Sequence, residues 1–168
     1  MSVYGNKTVT ELVDNFKNIE KSFEGKNICN FVNESLIAIN ENTRSLINTI
    51  ESQYERLYHH LIKFKVQPER QGSSWINSIT DAIYQINKIK NVSQTAWNSI
   101  DYNILKSSYQ KGLKEVEELL ERKISENVLE KEFFDKDIVI NKNFIKRWLI
   151  NNCRDNKVID LINNNRRL

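Results

Sequence analysis

The chain has 168 residues, a length typical of one domain that buries its own hydrophobic core. Its four glycines and one proline are too few for a β-sandwich, a β-barrel or a glycine-rich phosphate loop. With 39% hydrophobic and 28% charged residues, it is typical of globular helical proteins rather than disordered ones. The formal net charge of +3 is too small to indicate nucleic-acid binding by itself.

No apolar run approaches the ~18 residues that a membrane span requires. The first residues also lack the apolar segment of a signal peptide. We therefore expect a cytoplasmic protein that makes no membrane contact.

Two helices are predicted in the first part of the chain. Thr8 to Glu11 fits a capping box, and Gly25 can end the helix that starts there. The second helix, about Asn27 to Phe64, is long because apolar residues recur along it every seven positions. The two series of this repeat are Leu36, Thr43, Ile50, Leu57 and Phe64, and Ile39, Leu46, Gln53 and His60. The repeat points His60 inward and turns His59 toward the polar side.

Further helices are predicted after Pro68, which stops the second helix because it lacks an amide hydrogen. The third helix runs from Trp75 to about Lys90 after a Ser73 or Ser74 cap, and the fourth runs from its Ser93 cap to about Val128. A fifth helix follows a cap at Asn141, and its apolar side contains Phe144, Ile145, Trp148 and Leu149. The last helix covers about Arg154 to Ile162. The β-branched run from Ile138 to Ile140 is either an isolated extended segment or a plug against the core.

We therefore expect a single all-α domain over residues 1–168, a helical bundle of five to six helices with two long antiparallel helices. The predicted core draws apolar residues from each helix. Its members are Phe16, Ile39, Leu46, Ile50, Leu57, Leu61, Trp75, Ile79, Ile83, Ile100, Ile104, Leu113, Val116 and Trp148.

Residues 60–79 carry a family resemblance. The relevant segments are His60-Leu61-Ile62-Lys63-Phe64, Gln67-Pro68-Glu69-Arg70, Ser74-Trp75 and Ile79. Their spacing resembles, without a gap, the signature of the bacterial domain of unknown function 29 family, and a weaker similarity lies at Tyr109 to Gly112. The similarity extends over about residues 28–150 and leaves a basic C-terminal helical extension at about 141–168.

The resemblance implies an all-helical fold and supplies no catalytic residues, because the family has no established biochemical activity. The chain also departs from the family pattern. Phe64 stands where the family prefers tryptophan, and Asp81-Ala82-Ile83 replaces a Glu-Gln-Arg cluster. Ala38 and Asn40 fall where acidic residues are typical of the family.

A candidate polar corner between the second and third helices contains His60, Gln67, Arg70 and Trp75. In one interpretation it is a functional pocket, because a histidine can act as a general base and an arginine can bind a phosphate or carboxylate. In the favoured interpretation these residues hold the shape of the corner. His60 then bonds to a carbonyl freed by the turn, Gln67 caps the second helix, and Arg70 stacks on Trp75 or pairs with an acid.

No metal and no cofactor are expected. His59 and His60 are adjacent on a helix and point about 100° apart, so they cannot easily share one ion. The sequence has no HExxH motif, no paired cysteine spacing and no glycine-rich nucleotide motif. A ribonuclease in a helical bundle could be built on Arg56 and His60, which are four positions apart and share a helix face, but this spacing is also ordinary for structural residues.

Charge is unevenly distributed near the end of the chain. Residues 116–137 carry eight acids and four bases, whereas residues 138–168 carry seven bases and two acids. Candidate phosphate contacts, with Phe144 or Trp148 nearby for stacking, are Lys146, Arg147, Arg154, Lys157, Arg166 and Arg167. The favoured alternative is a solvated helix face, and the same bases could also neutralise the acidic stretch from Glu115 to Asp137.

The sequence thus favours a non-enzymatic protein–protein interaction module, whose partner is an unknown protein or a second copy. The alternative is a nucleic-acid-binding or nuclease-like protein that uses the basic C-terminal region and the corner of His60 and Arg70. A gel shift at two salt concentrations distinguishes the two, because phosphate contacts weaken steeply with salt.

Overall fold

A computed structural model describes residues 9–22 and 26–168 of the chain. These residues form seven α-helices and two short 3-10 helices, without a β-strand, which confirms the predicted all-α fold. The helices are α1 (Val9–Ser22), α2 (Lys26–Val66), α3 (Ser73–Val92), α4 (Gln94–Asn98), α5 (Tyr102–Leu120), α6 (Lys142–Asn151) and α7 (Asn156–Asn164), and the 3-10 helices are Pro68–Arg70 and Lys131–Phe134. The capping box at Thr8 and the helix end at Gly25 lie outside the described residues. None of the described helices is long and apolar enough to cross a membrane.

The chain divides into two compact units, Met1–Thr43 and Arg44–Leu168. The first unit contains α1 and the beginning of α2. Phe16 and Ile39, which the helical pattern assigns to the core, are half-buried in this unit. Val32 is buried there.

The core of the second unit includes the C-terminal half of α2. Ile50, Leu57 and Phe64 of the predicted seven-residue series are fully buried, which confirms this part of the repeat. Tyr54 and Tyr58 are buried as well. Their hydroxyls donate to the carbonyl oxygens of Lys136 and Phe133, and the Tyr58 ring lies edge-on to Tyr109 of α5. Buried residues from the later helices include Ile76, Ile79, Ile83 and Ile86 of α3, Leu105, Tyr109, Leu113 and Val116 of α5, Ile145, Trp148 and Leu149 of α6, and Val158 and Ile162 of α7.

The single long helix predicted from Ser93 to Val128 is wrong, because its residues form the two helices α4 and α5. The Ser93 hydroxyl caps α4, as predicted. Asp101, however, begins a new helix by accepting a hydrogen bond from the Ile104 amide at 3.0 Å. The helix therefore breaks before Asp101, although apolar residues at helical spacing continue past this position in the sequence.

Lys136 stabilises this break from a distant part of the chain. Its Nζ donates to the carbonyl oxygens of Trp97 and Ile100 at 3.0 and 2.9 Å. The Trp97 carbonyl also accepts the Ile100 amide at 3.1 Å, so the ammonium group adds a further donor to the two carbonyls at the end of α4.

The helix α5 ends at Leu120, eight residues before the predicted end. Glu121 adopts the left-handed conformation, with φ 51°. The following amide, that of Arg122, donates back to the carbonyl of Glu117 at 3.2 Å, a bond typical of helix C-termini.

The segment before α6 packs against the core. Ile138 to Ile140 lies in turns, and Val139 and Ile140 are buried, so this run is a plug and not an extended segment. The predicted cap of α6 is confirmed, because the side chain of Asn141 accepts a hydrogen bond from the Phe144 amide at 3.1 Å.

Candidate functional site

The corner between α2 and α3 is formed by a short 3-10 helix. The helix α2 ends at Val66, Pro68–Arg70 forms the turn, and α3 begins at Ser73. The prediction that Ser73 or Ser74 caps α3 is wrong, since Gly72 occupies the capping position and no side chain bonds to the first amides. The corner is therefore shaped by the backbone at Pro68 and Gly72.

The four predicted corner residues do not form one polar cluster. The side chain of Gln67 is buried, and its oxygen has no hydrogen-bond partner. Arg70 is exposed, and Trp75 is half-buried with Lys63 Nζ 4.8 Å from its ring centre. Within the described residues, neither a hydrogen bond nor an ion pair connects His60 with Arg70.

Gln71, a residue that sequence reasoning missed, fastens the corner to the rest of the second unit. Its side-chain nitrogen donates to the carbonyl oxygens of Phe64 and Asn152, both at 2.8 Å. Its side-chain oxygen accepts from the Arg154 amide at 3.4 Å. Gln71, rather than Gln67, thus caps the last turn of α2. A local pattern could not have found it, because one partner lies 81 positions away.

His59 and His60 form a polar layer along α2. Their ring centroids are 5.1 Å apart. His59 Nδ1 lies 2.8 Å from Glu115 Oε2 on α5, although the two do not have the geometry of a hydrogen bond. His60 Nδ1 is buried without a hydrogen-bond partner. The seven-residue repeat predicts that His59 faces the polar side of α2. In the structure this side chain lies against α5.

The surroundings of these two rings favour the neutral form of each. Burial, followed by the charges of His59, Lys63 and Arg56, lowers the pKa of His60 to about 4. Burial also lowers the pKa of His59, although the carboxylate of Glu115 opposes this decrease. A base whose pKa lies far below neutral pH transfers protons inefficiently. His60 is therefore poorly suited to acid–base catalysis near neutral pH.

Asp81 of α3 connects α2 with the end of the chain. Its carboxylate lies 2.8 Å from Arg56 Nη1 and 3.8 Å from Arg167 Nη1. The three side chains line a cavity of about 680 Å³, together with Leu161 and several serines and asparagines. Arg56, which shares a helix face with His60, is thus engaged by an acid.

The basic C-terminal region, residues 141–168, presents most of its charge to solvent. Of the six predicted phosphate contacts, those that are exposed and have no acidic partner among the described residues are Arg147, Arg154, Lys157 and Arg166. Lys146 Nζ donates to the carbonyl oxygen of Asn163 at 3.1 Å. Arg167 is exposed but also lies near Asp81.

The acidic stretch from Glu115 to Asp137 has other basic partners. Its closest pairs are Glu115 with His59, Glu117 with Lys123, Glu118 with Lys114, Glu130 with Lys65, and Asp137 with Lys90. Each of these bases precedes residue 138. In the part of the chain that the structure describes, the basic C-terminal region makes no ion pair with this stretch.

The two aromatic residues proposed for base stacking are turned into the protein. Trp148 is buried, and its Nε1 donates to Glu130 Oε2 at 2.9 Å. The Phe144 ring is half-buried, with its centroid 5.2 Å from that of Phe133. Neither ring is therefore exposed for stacking on a nucleic-acid base beside the basic region.

A comparison with protein families gives a match over most of the chain. The model of a family described as a domain of unknown function, DUF29, matches residues 15–145. The chain is a member of the DUF29 family. This confirms the resemblance carried by residues 60–79. Searches of curated proteins and of solved structures gave no significant match.

In this DUF29 protein the signature residues at 60–79 build the corner between α2 and α3. Leu61 and Ile79 are fully buried there. The match to the DUF29 family ends inside α6. All six candidate phosphate contacts, which begin at Lys146, consequently lie beyond the matched residues.

Proposed function

We propose that the protein is a non-enzymatic binding module that contacts nucleic-acid phosphates through its basic C-terminal region. One observation carries the proposal. Arg147, Arg154, Lys157 and Arg166 are exposed and have no acidic partner in the described structure. Such cations can bind phosphates and release the counterions that surround a nucleic acid, which is the main source of affinity that does not depend on sequence.

The polar layer of α2 supports a non-enzymatic role. His60 has a lowered pKa and a buried Nδ1, and Arg56 is paired with Asp81 at 2.8 Å. A nuclease needs a base that works near neutral pH and a cation that is available to the phosphate. Neither His60 nor Arg56 meets these requirements.

The exposed apolar side chains of the second unit do not by themselves indicate a protein partner. The centre of a protein–protein interface is usually apolar. The large apolar side chains exposed here are distributed over three helices: Tyr84 and Val92 of α3, Tyr102 and Leu119 of α5, and Leu161 of α7. Apolar residues scattered singly are ordinary on a monomer surface and do not require a partner.

A gel shift with a labelled duplex of about 20 base pairs tests the proposed function at about 50 mM salt. The variant Arg154→Gln/Lys157→Gln should bind about tenfold more weakly than the wild type, because it removes two phosphate contacts. Arg44→Gln/Lys88→Gln is the matched control, since it removes one exposed arginine and one exposed lysine that lie outside the basic region. Equal affinities of the two variants would reject the proposed binding face.

A second candidate function is protein–protein interaction through the beginning of α2. Phe31 and Ile37 are 63% and 57% exposed on this helix, and both are large apolar side chains. Burial against a second copy would remove them from water. Light scattering over a range of protein concentrations tests this candidate. Self-association that Phe31→Ser/Ile37→Ser abolishes would support it, whereas a monomer at all concentrations would exclude a second copy as the partner.

A further inference from the structure

We infer that a cleft between α5 and residues 121–134 binds a small planar aromatic anion. The cleft has a volume of about 520 Å³, within the range of about 300–1,000 Å³ that is usual for small-molecule sites. None of its residues belongs to the polar corner or to the basic C-terminal region. The inference therefore does not depend on the proposed nucleic-acid binding.

The wall of the cleft is aromatic. Tyr109 is buried, and its ring lies edge-on to that of Phe134 with the centroids 5.0 Å apart. Phe134 is half-buried, and Tyr102, whose centroid is 6.1 Å from that of Phe134, is 57% exposed. Leu113 completes the apolar lining. An exposed tyrosine beside two packed rings offers a surface on which a flat ring can stack.

Hydrogen bonds hold the far side of the cleft in place. The Tyr109 hydroxyl donates to the carbonyl oxygen of Glu126 at 2.8 Å. The carboxylate of Glu117 accepts from the Ile124 amide at 2.9 Å and from Lys123 Nζ at 3.0 Å. The segment after α5 is thus tied to α5 at two points. A cleft that is formed before binding loses less conformational entropy when a ligand enters.

The charges around the cleft favour an anion. Lys106 and Lys131 are exposed and have no acid within ion-pair distance in the part of the chain that the structure describes. Lys114 lies 3.8 Å from Glu118, a weak surface pair. The lining also contains two carboxylates, of which Glu117 is paired with Lys123 at 3.0 Å and Glu126 supplies an opposing charge. A ligand with one or two negative charges would therefore find two ammonium groups beside the aromatic wall.

Ligand-observed NMR titrations on the full chain test the inference with two charged probes, adenosine 5′-monophosphate and indole-3-carboxylate. Their uncharged counterparts, adenosine and indole, measure the contribution of the ring alone. We expect saturable binding of at least one charged probe, about tenfold tighter than its uncharged counterpart. Binding of neither charged probe, or equal affinity for a charged probe and its uncharged counterpart, would overturn the inference.

Substitutions then locate the binding. Lys106→Gln/Lys131→Gln should reduce the affinity for the charged probe about tenfold and leave that for the uncharged one nearly unchanged. Lys88→Gln/Lys142→Gln, which removes two exposed lysines outside the cleft, should have no effect. If the first variant does not fold, Tyr102→Ala provides the test, because it should lower the affinity for both the charged and the uncharged probe. Unchanged binding by the folded variants would place the ligand elsewhere and reject the cleft.

Discussion

Gly112 of α5 lies directly against the backbone of α2 at His59. A Cβ atom at position 112 would be 2.9 Å from the His59 nitrogen and 3.1 Å from the Glu55 carbonyl oxygen. Two polar contacts flank this crossing: Lys111 Nζ lies 3.4 Å from Glu55 Oε2, and Glu115 Oε2 lies 2.8 Å from His59 Nδ1. The absence of a side chain at Gly112 thus allows the two helices to approach closely enough for both contacts.

The variant Gly112→Ala should lower the free energy of unfolding by about 2–3 kcal/mol, because the added methyl group must displace backbone atoms that cannot easily move. Gly72→Ala is the control. A Cβ atom there would meet only the Arg70 carbonyl oxygen at 4.0 Å, so the change should stay within about 0.5 kcal/mol. Urea unfolding of both variants measures the difference, and a tolerated Gly112→Ala would show that the helices do not need this close approach.

Lowering the pH from about 7 to about 5 should destabilise the protein through His60. Its pKa is lowered from 6.5 to about 4 in the folded state, so the unfolded chain takes up the proton first as the pH falls. The stability is complete above the unfolded pKa and decreases as the pH falls from that value toward the folded one. Since the ring is only half-buried, we expect a loss of about 1 kcal/mol by about pH 5.

Urea unfolding at the two pH values should show a smaller loss in His60→Gln, which removes the titrating group but keeps a polar side chain. The remaining loss comes from His59, whose pKa is lowered as well. Glu117 does not enter this window, since the Ile124 amide and then Lys123 hold its pKa below the ordinary value of 4.5. An equal loss in the wild type and in His60→Gln would contradict the role assigned to this ring.

Glu121→Gly should stabilise the protein by about 0.5–1 kcal/mol, because glycine avoids the steric cost of the left-handed conformation. Glu121 has φ 51° and ψ 33° at the end of α5. The paired variant Glu118→Gly lies inside the same helix and should destabilise by about 1 kcal/mol. Thermal unfolding measures both variants, and effects of the same sign would show that the conformation at Glu121 is not strained.

Gln71→Ala should lower the free energy of unfolding by about 1–3 kcal/mol, because it leaves the carbonyl groups of Phe64 and Asn152 without this partner. Gln110→Ala, at an exposed position of α5, is the control and should stay within about 0.5 kcal/mol. Chemical unfolding provides the comparison. Indistinguishable stabilities would mean that Gln71 does not fasten the corner.

The helices could be predicted where periodicity and capping residues agree. The predicted bounds of α2, about Asn27 to Phe64, differ by one or two residues from Lys26–Val66. Asn141 was likewise recognisable as the cap of α6. The break at Asp101 could not be recognised, because apolar residues at helical spacing continue across it. An aspartate can also lie inside a helix, so its presence alone did not indicate a new helix start.

The site residues were harder to predict than the helices, because their partners are distant in sequence. Arg56 pairs with Asp81, which also lies near Arg167, and nothing in the local sequence of Arg56 indicates either neighbour. Burial of Tyr58 was missed because the seven-residue repeat describes one seam, whereas α2 is covered on more than one side. Patterns along a helix identify its faces, but the residues that meet across helices depend on how the chain folds back.

The salt dependence of nucleic-acid affinity is the most direct measurement of the proposed function. Fluorescence anisotropy with a labelled duplex gives the binding constant between about 50 and 200 mM salt. Four unpaired cations predict a slope of the logarithm of affinity against the logarithm of salt of about −3.6, and Arg154→Gln/Lys157→Gln should reduce its magnitude by about 1.8. No binding at the lowest salt, or a slope that this variant leaves unchanged, would contradict phosphate recognition by the C-terminal helices.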